Sequence, residues 1–94
     1  EVPFLHRAEG RLVEGVIDRL VLLRESGTVV AAEILDYKTD SMEGAGGAAI
    51  AAKVVHYRPQ MEAYRAAVAA GYRLPSDRVK ARLLFLETGA VVEV

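Results

Sequence analysis

Two acidic residues interrupt segments of the chain that are otherwise apolar and have strand character. Asp18 lies in the segment Gly15-Val16-Ile17-Asp18-Arg19, and Asp36 lies in Ile34-Leu35-Asp36-Tyr37-Lys38-Thr39. A buried charge is costly unless another group pairs with it. Lys38, two residues beyond Asp36, falls on the same face of a strand. Two carboxylates and an ammonium group that converge on one face would suit a divalent metal ion and a phosphate.

The length and composition of the chain set the class of protein. Its 94 residues, 52% hydrophobic and 27% charged, predict a single small folded domain over residues 1–94. The absence of cysteine excludes disulfides, thiolate zinc sites and iron–sulfur clusters. No apolar run reaches the roughly 18 residues that a membrane span needs, so we expect a cytoplasmic protein. Because the chain begins at Glu1 and not at methionine, we expect it to be part of a longer protein.

Hydrophobic periodicity predicts the order β, β, β, helix, β, β, which is an α/β or α+β core. We expect one mixed sheet with a long helix packed on it. The segment 40–52 is interpreted as a loop that turns helical near Ala48, and Glu9-Gly10 and Thr88-Gly89 as turns. The helix is expected from about Pro59 to Ala70, with Gly71 as its stop. The predicted strands are Val2–Ala8, Arg11–Leu23, Thr28–Lys38, Val79–Glu87 and Ala90–Val94.

The hairpin loop between the second and third predicted strands fixes where the two aspartates lie. We interpret Glu25-Ser26-Gly27 as a three-residue loop, since Gly27 suits the left-handed position of such loops. Asp18 then faces Ile34 and Val16 faces Asp36. The aspartates become diagonal neighbours on one face, with β-carbons about 7–8 Å apart. A two-residue loop would place them on opposite faces.

Each of these residues also has an ordinary structural interpretation. Asp18 could pair with Arg19 or Arg11, and Asp36 and Lys38 could form a same-face ion pair on an edge strand. The tripeptide pattern of Asp36 and Lys38 is weak on its own, because it recurs by chance in many proteins. The combination is more specific, since both aspartates and the lysine share one face at the end of a strand.

Gln60 and Tyr64 are four residues apart and therefore share a face of the predicted helix. Either Tyr64 packs in the core with Gln60 at its polar edge, or the two side chains reach a phosphate or a metal-bound water. The neighbouring His56 and Tyr57 favour neither interpretation. His6 is interpreted as structural, because no histidine or cysteine partner stands at metal-ligand spacing. Phosphate-binding glycine loops and the H-E-x-x-H motif are absent from the sequence.

Four blocks of the sequence resemble the PD-(D/E)XK nuclease superfamily. More closely, they are similar to the C-terminal nuclease domains of AddA- and RecB-type helicase–nucleases. The blocks follow the family's order and approximate spacing over residues 1–64. They are Glu1-Val2-Pro3-Phe4, Gly15-Val16-Ile17-Asp18-Arg19, Asp36-Tyr37-Lys38-Thr39, and Gln60-Met61-Glu62-Ala63-Tyr64, the family's Q-x-x-x-Y.

The resemblance implies a restriction-endonuclease-like fold and hydrolysis of DNA phosphodiesters that depends on Mg²⁺, or on Mn²⁺ in its place. It implies that Asp18 and Asp36 are metal ligands and that Lys38 is the catalytic lysine. Gln60 and Tyr64 would support the site and the DNA. The lack of cysteine argues against the branch of the superfamily that carries an iron–sulfur cluster.

The start of the chain departs from the family pattern. The family usually has a helix with a further metal-ligand histidine ahead of the Glu-x-Pro-Phe block, and this chain starts at that block. His6 does not occupy the position of that histidine. Glu1 matches an upstream family glutamate, which we count as a supporting residue. We therefore expect the N-terminal family helix to be missing here and the metal site to lack one of its ligands.

The resemblance also implies a biological setting. We expect an exonuclease domain of an ATP-dependent helicase–nuclease that acts in double-strand-break repair and recombination, in the bacterial cytoplasm or nucleoid. Its partners would be DNA, a helicase domain in the same chain and a second subunit, with no membrane. The net charge of −1 counts mildly against tight DNA binding by this domain alone. The alternatives are a catalytically inactive nuclease-fold module for DNA binding or assembly, and a stand-alone phage-type exonuclease.

Overall fold

The structure is a computed structural model that describes residues 2–8, 11–39 and 47–94, with positions 4, 6–8 and 11–14 described by their backbone alone. The elements of these ranges are strands, one long helix and a short 3₁₀ turn at Ser76–Arg78. They are β1 (Val2–Ala8), β2 (Arg11–Ile17), β3 (Arg19–Glu25), β4 (Thr28–Lys38), α1 (Gly47–Tyr72), β5 (Val79–Phe85) and β6 (Ala90–Glu93).

A four-stranded mixed sheet with the strand order β3-β4-β5-β6 forms the centre of the fold. Strands β4 and β5 are parallel, and the other two pairings are antiparallel. Helix α1 connects the two parallel strands, as a parallel pair requires, and packs on one face of the sheet. Strands β1 and β2 form a separate antiparallel pair. The predicted α+β class is confirmed, and the arrangement is consistent with a restriction-endonuclease-like fold.

The core lies between α1 and the face of the sheet that α1 covers. Alternate residues of β4 and β5 point to the helix, and Ile34, Ala81, Leu83 and Phe85 have no exposed surface. Met61 of α1, which is also fully buried, packs among them. On β4 the residue that follows Ile34 on this face is Asp36. The apolar core therefore lies directly beside the charged residues at the end of β4.

The second predicted strand is in fact two strands. We expected Arg11–Leu23 to be one central strand covered on both sides, and this was wrong. The chain bends at Asp18, so that β2 pairs with β1 while β3 lies at the edge of the larger sheet. At the bend, a carboxylate oxygen of Asp18 accepts a hydrogen bond from the backbone N–H of Tyr37 in β4 at 2.9 Å. Such side-chain bonds compete with a regular ladder.

The hairpin loop between β3 and β4 has two residues, and the three-residue prediction was wrong. Ser26 and Gly27 both have positive φ, 50° and 80°, as in the tight turns that match the twist of paired strands. Glu25 and Thr28 form the closing pair.

A bulge in β4 keeps Asp18 and Asp36 on one face, although a two-residue loop alone would place them on opposite faces. Val29 pairs with Arg24, but Ala31 pairs with Leu23, so Val30 is an extra residue in β4. Beyond the bulge Arg19 pairs with Leu35, and the next position in the same register sets Asp18 opposite Asp36. The two aspartates therefore share one face, as predicted, but as directly opposed neighbours and not as diagonal ones.

Helix α1 begins at Gly47, which confirms the helical turn predicted near Ala48, but it continues without a break through Pro59, where the long helix was predicted to start. The prediction placed the helix from about Pro59 because the helical period of Met61, Tyr64 and Val68 starts there. The segment before it, however, is rich in strong helix formers, with four alanines at positions 48, 49, 51 and 52 followed by Lys53. Residues 40–46 of the predicted loop lie outside the described residues, as does the predicted Glu9-Gly10 turn.

The C-terminal end of α1 differs from the prediction in its capping residue. The helix continues through Gly71 to Tyr72, and Arg73 adopts the left-handed conformation with φ 56°. The N–H of Leu74 donates to the carbonyl of Ala69 at 2.8 Å, and the N–H of Arg73 donates to Ala70 at 3.4 Å. This is the Schellman pattern, which glycine usually closes.

Arg65 of α1 is partly buried. Its guanidinium donates to the carbonyls of Val79 at 3.1 Å and Ser76 at 3.2 Å, and so ties α1 to the start of β5. Strands β1 and β4 have their predicted bounds, and β5 and β6 are each slightly shorter than predicted. Over the described ranges, no helix has the length and apolar character that crossing a membrane requires.

Candidate active site

Three of the predicted site residues meet at the end of β4, on the face that α1 covers. Asp36 is 4% exposed, and Lys38 is half-buried on the same face. Beside them, the N–H of Leu86 donates to the carbonyl of Lys38 at 2.9 Å and holds the end of β4 to the chain leaving β5. The site therefore lies at the carboxyl ends of two parallel strands, where ligands commonly bind in open α/β sheets.

Asp18 reaches this site from the bend between β2 and β3. Its described partners are the backbone N–H of Tyr37, at 2.9 Å, and the carboxyl group of Asp36, with which it shares a hydrogen bond. The predicted alternative of a partner at Arg11 concerns a side chain outside the described residues. The bend that ends β2 thus also places the carboxylate of Asp18 next to that of Asp36.

The two carboxyl groups perturb each other in opposite directions. The hydrogen bond with Asp36 is the largest influence that lowers the pKa of Asp18, and the N–H of Tyr37 and the charge of Lys38 act the same way. Burial is the largest influence that raises the pKa of Asp36, and the hydrogen bond with Asp18 adds to it. The pair therefore retains one proton more readily than two separate aspartates would. A cation bound between them would take the place of that proton.

Lys38 is held at one point by three groups. Its Nζ lies 2.7 Å from Oδ2 of Asp36 and donates to Oε1 of Gln60 at 2.9 Å. It also lies 4.0 Å from the centroid of the Tyr57 ring. The structure thus brings Gln60 to the site, as predicted. The buried Oδ2 of Asp36 forms this ion pair with Lys38. It accepts no well-aligned hydrogen bond in the described part of the chain.

The structural interpretation of Tyr64 is confirmed, and its predicted contact with a phosphate or a metal-bound water stays a prediction. Tyr64 is buried in the core cluster next to Met61, as the structural interpretation required. Burial raises the pKa of its phenol, and the negative charges of Asp36 and Asp18 raise it further. Its hydroxyl therefore lies within the electrostatic field of the two carboxylates and links the core to the site.

Tyr57 is the site residue that the sequence did not assign. It precedes Gln60 by three residues, so both side chains lie on the same face of a helix. The predicted helix started at Pro59 and left Tyr57 outside it, although the alanine-rich segment before it was a signal for an earlier start. The predicted roles of Glu1 and His6 concern side chains that lie outside the described residues.

Two grooves lie away from this site. One, of about 340 Å³, is lined by residues that include Val21 and Leu23 of β3. The other, of about 370 Å³, lies between the β1–β2 pair and the end of α1 that carries Tyr72. The aspartates line neither groove.

The donor set of the site fits a hard divalent cation. Mg²⁺ prefers carboxylate oxygens and is usually bound through one or two carboxylates with several waters. Asp18 and Asp36 supply two such groups, and the buried Oδ2 of Asp36 without a hydrogen bond is available as a ligand. Over the described residues, no group of three or more acidic, histidine or cysteine side chains comes together. Asp18 and Asp36 are therefore a pair of candidate ligands and not part of a larger acidic cluster within the described residues.

Comparison with known families identifies the family of the chain. The family model of the PD-(D/E)XK nuclease superfamily matches residues 1–93. The chain therefore belongs to the PD-(D/E)XK nuclease superfamily, which confirms the predicted resemblance at the superfamily level. Members of the superfamily generally use Mg²⁺ or a similar divalent metal. No curated protein and no solved structure matched the chain.

Proposed function

We propose that this chain is a Mg²⁺-dependent nuclease domain that hydrolyses DNA phosphodiester bonds, with Asp36, Lys38 and Asp18 as its catalytic residues. The observation that carries the proposal is the opposition of Asp18 and Asp36 on one face, with the Lys38 ammonium 2.7 Å from Asp36. Membership of the nuclease superfamily supports the class of reaction.

Asp18 and Asp36 would hold the metal, because their oxygens are the hard ligands that Mg²⁺ prefers. The chemistry supplied by Mg²⁺ bound there is Lewis acidity, toward a phosphoryl oxygen and toward a bound water. Lys38 would contribute a fixed positive charge where negative charge develops on the phosphoryl group. Gln60, which accepts a hydrogen bond from Lys38 at 2.9 Å, would set the direction of that ammonium.

The buried charge favours an enzyme over an inactive module. A protein that only binds DNA gains nothing from a carboxylate that is 4% exposed, while burial of that carboxylate costs stability. The buried carboxylate would lower stability without a benefit unless the site carries out a reaction. The net charge of −1 is consistent with a domain that receives DNA from a partner.

We propose further that the domain acts as an exonuclease in an ATP-dependent helicase–nuclease of the AddA or RecB type, in double-strand-break repair and recombination in the bacterial cytoplasm. The support is the four sequence blocks over residues 1–64, in the order that those nucleases have. DNA, a helicase domain in the same chain and a second subunit would be its partners. A stand-alone exonuclease differs in one measurable property, because it would degrade linear DNA without ATP.

The test is cleavage of linear and single-stranded DNA by the full-length protein in Mg²⁺. Asp36→Asn removes a ligand charge with almost no change of shape, and Glu33→Gln on the opposite face of β4 is the matched control. We expect Asp36→Asn to reduce cleavage at least a thousandfold and Glu33→Gln to leave it unchanged. Equal cleavage by Asp36→Asn and wild type would overturn the proposed site. A wild-type protein that binds DNA but never cleaves it would favour the inactive module.

A further inference from the structure

Tyr57 contributes an aromatic face to the site through its contact with Lys38. The Nζ atom of Lys38 lies 4.0 Å from the ring centroid, well within the distance at which a cation is attracted to an aromatic face. The ring of His56 meets the Tyr57 ring edge-on, with centroids 4.8 Å apart and planes at 71°. Tyr57 thus lies between an exposed histidine and the ammonium group of the site.

The three contacts of the ammonium come from two elements. Asp36 belongs to β4, whereas Gln60 and Tyr57 are one turn apart on α1. If Asp36 also binds a metal, the positive charge of that metal competes for the carboxylate oxygen that now attracts Lys38. The two helix contacts do not involve a metal ligand. They would therefore keep the ammonium in place when its attraction to Asp36 weakens.

We propose that Tyr57 is a positioning residue for the proposed reaction, whose ring face holds the Lys38 ammonium toward the phosphate once Asp36 binds metal. This inference rests on the proposed function. The contact uses the electrons of the ring and not the hydroxyl group, so phenylalanine should substitute for tyrosine. An aliphatic residue of similar volume should fill the space without attracting the cation.

The kinetic test compares Tyr57→Phe and Tyr57→Leu in the full-length protein. Tyr72→Leu is the matched control, because Tyr72 lies on the same helix but lines a groove away from the site. We expect Tyr57→Leu to lower kcat about tenfold with little change in KM for DNA, since a misdirected ammonium affects the reaction more than binding. Tyr57→Phe and Tyr72→Leu should both stay within about twofold of wild type.

A second readout does not depend on activity. In protein with ¹³C-labelled lysine, the ε-methylene resonance of Lys38, assigned by its loss in Lys38→Arg, should be shifted upfield by the ring above it. We expect the upfield shift in wild type and Tyr57→Phe, before and after addition of Mg²⁺, and its loss in Tyr57→Leu. An active wild-type protein with an unshifted Lys38 resonance would overturn the positioning role alone. An inactive wild-type protein with a shifted resonance would overturn the proposed function alone.

A fluorination series covers the case in which Tyr57→Leu does not fold. Phenylalanine, 4-fluorophenylalanine and 3,4,5-trifluorophenylalanine at position 57 have nearly the same shape, while each added fluorine weakens the attraction of the ring face for a cation. We expect kcat to fall stepwise along this series. Equal kcat values across the series, or a Tyr57→Phe variant as slow as Tyr57→Leu, would overturn the inference.

Discussion

The two faces of β4 carry two ion pairs of the same chemical kind in different surroundings. On the face away from α1, Arg82 and Glu33 lie 3.3 Å apart, with side chains that are 37% and 32% exposed. On the face under α1, Lys38 and Asp36 lie 2.7 Å apart, and their side chains are 13% and 5% exposed. Exposed pairs contribute between 0 and about 1 kcal/mol, whereas the desolvation of a buried pair often exceeds the attraction between its members. The outer pair therefore needs no further explanation, while the inner pair indicates a function.

The largest difference between the faces should appear in activity when a cation is removed from each. Lys38→Met removes the ammonium of the inner pair, and Arg82→Met removes the guanidinium of the outer pair. Because Lys38 is the fixed charge nearest the proposed phosphate position, its loss should lower kcat about a thousandfold. Arg82→Met should stay within about twofold of wild type. Comparable losses in both variants, measured as DNA cleavage in Mg²⁺, would mean that the faces do not differ in function.

Residues on the inner face of β4 should also contribute more to stability than residues on its outer face. Ile34, on the inner face, has no exposed surface, whereas Leu35, its neighbour on the outer face, is partly exposed. Ile34→Ala should lower the free energy of unfolding by about 3 kcal/mol, because it leaves a cavity in the core. Leu35→Ala should cost about 1 kcal/mol. Urea denaturation measures both values, and an equal cost would contradict the assignment of a single core under α1.

Much of the β4 face under α1 could be predicted from sequence, because side chains alternate between the two faces of a strand. The pattern that placed Ala32, Ile34, Asp36 and Lys38 on one face depends on the backbone geometry of a strand and is confirmed. The pairing of β3 with β4 could not be predicted in detail. The bulge at Val30 has no clear sequence signature, and the prediction of one face was correct only because the bulge offset the error in loop length.

For helix α1, the buried face could be predicted from sequence but the first residue could not. Its apolar residues Met61, Tyr64 and Val68 were predicted correctly from their period. Its start was predicted only in part, because the helical turn near Ala48 is confirmed but the long helix was placed from Pro59 onward. Tyr57 was left unassigned for that reason. The roles predicted for Glu1 and His6 stay predictions.

Addition of Mg²⁺ should stabilise the protein through the inner carboxylates only. At a Mg²⁺ concentration one hundred times its dissociation constant, binding adds about 2.7 kcal/mol to the free energy of unfolding. We expect Tm to rise with Mg²⁺ in wild type and in Glu33→Gln, and the rise to be lost in Asp18→Asn and Asp36→Asn. A full rise in Tm in either aspartate variant would exclude that residue as a ligand.

The smallest expected effect is the pH dependence of stability without metal. Burial raises the pKa of Asp36 above 3.8, so the folded protein binds a proton there that the unfolded chain has already lost. The stability from this group is fully present below about pH 3.8 and is lost as the pH rises through the raised pKa. Asp18, whose pKa is lowered, acts in the other direction and in a lower window, below pH 3.8.

Wild type should therefore lose stability relative to Asp36→Asn as the pH rises above about 3.8 in EDTA. Thermal unfolding at a series of pH values measures the difference in Tm between the two proteins. Curves that stay parallel would show that Asp36 titrates as an exposed aspartate does. The Glu33→Gln variant provides the comparison for the outer face.

The bulge at Val30 has a consequence for how such sites are found in other sequences. An extra residue in β4 was accommodated between the turn and the site, so that Asp18 and Asp36 stay opposed although 17 residues separate them. The same opposition would survive the deletion of Val30 with one residue fewer between the aspartates. A search pattern with a fixed gap between the two motifs would therefore discard proteins with identical site geometry, and the gap should be left free by at least one residue.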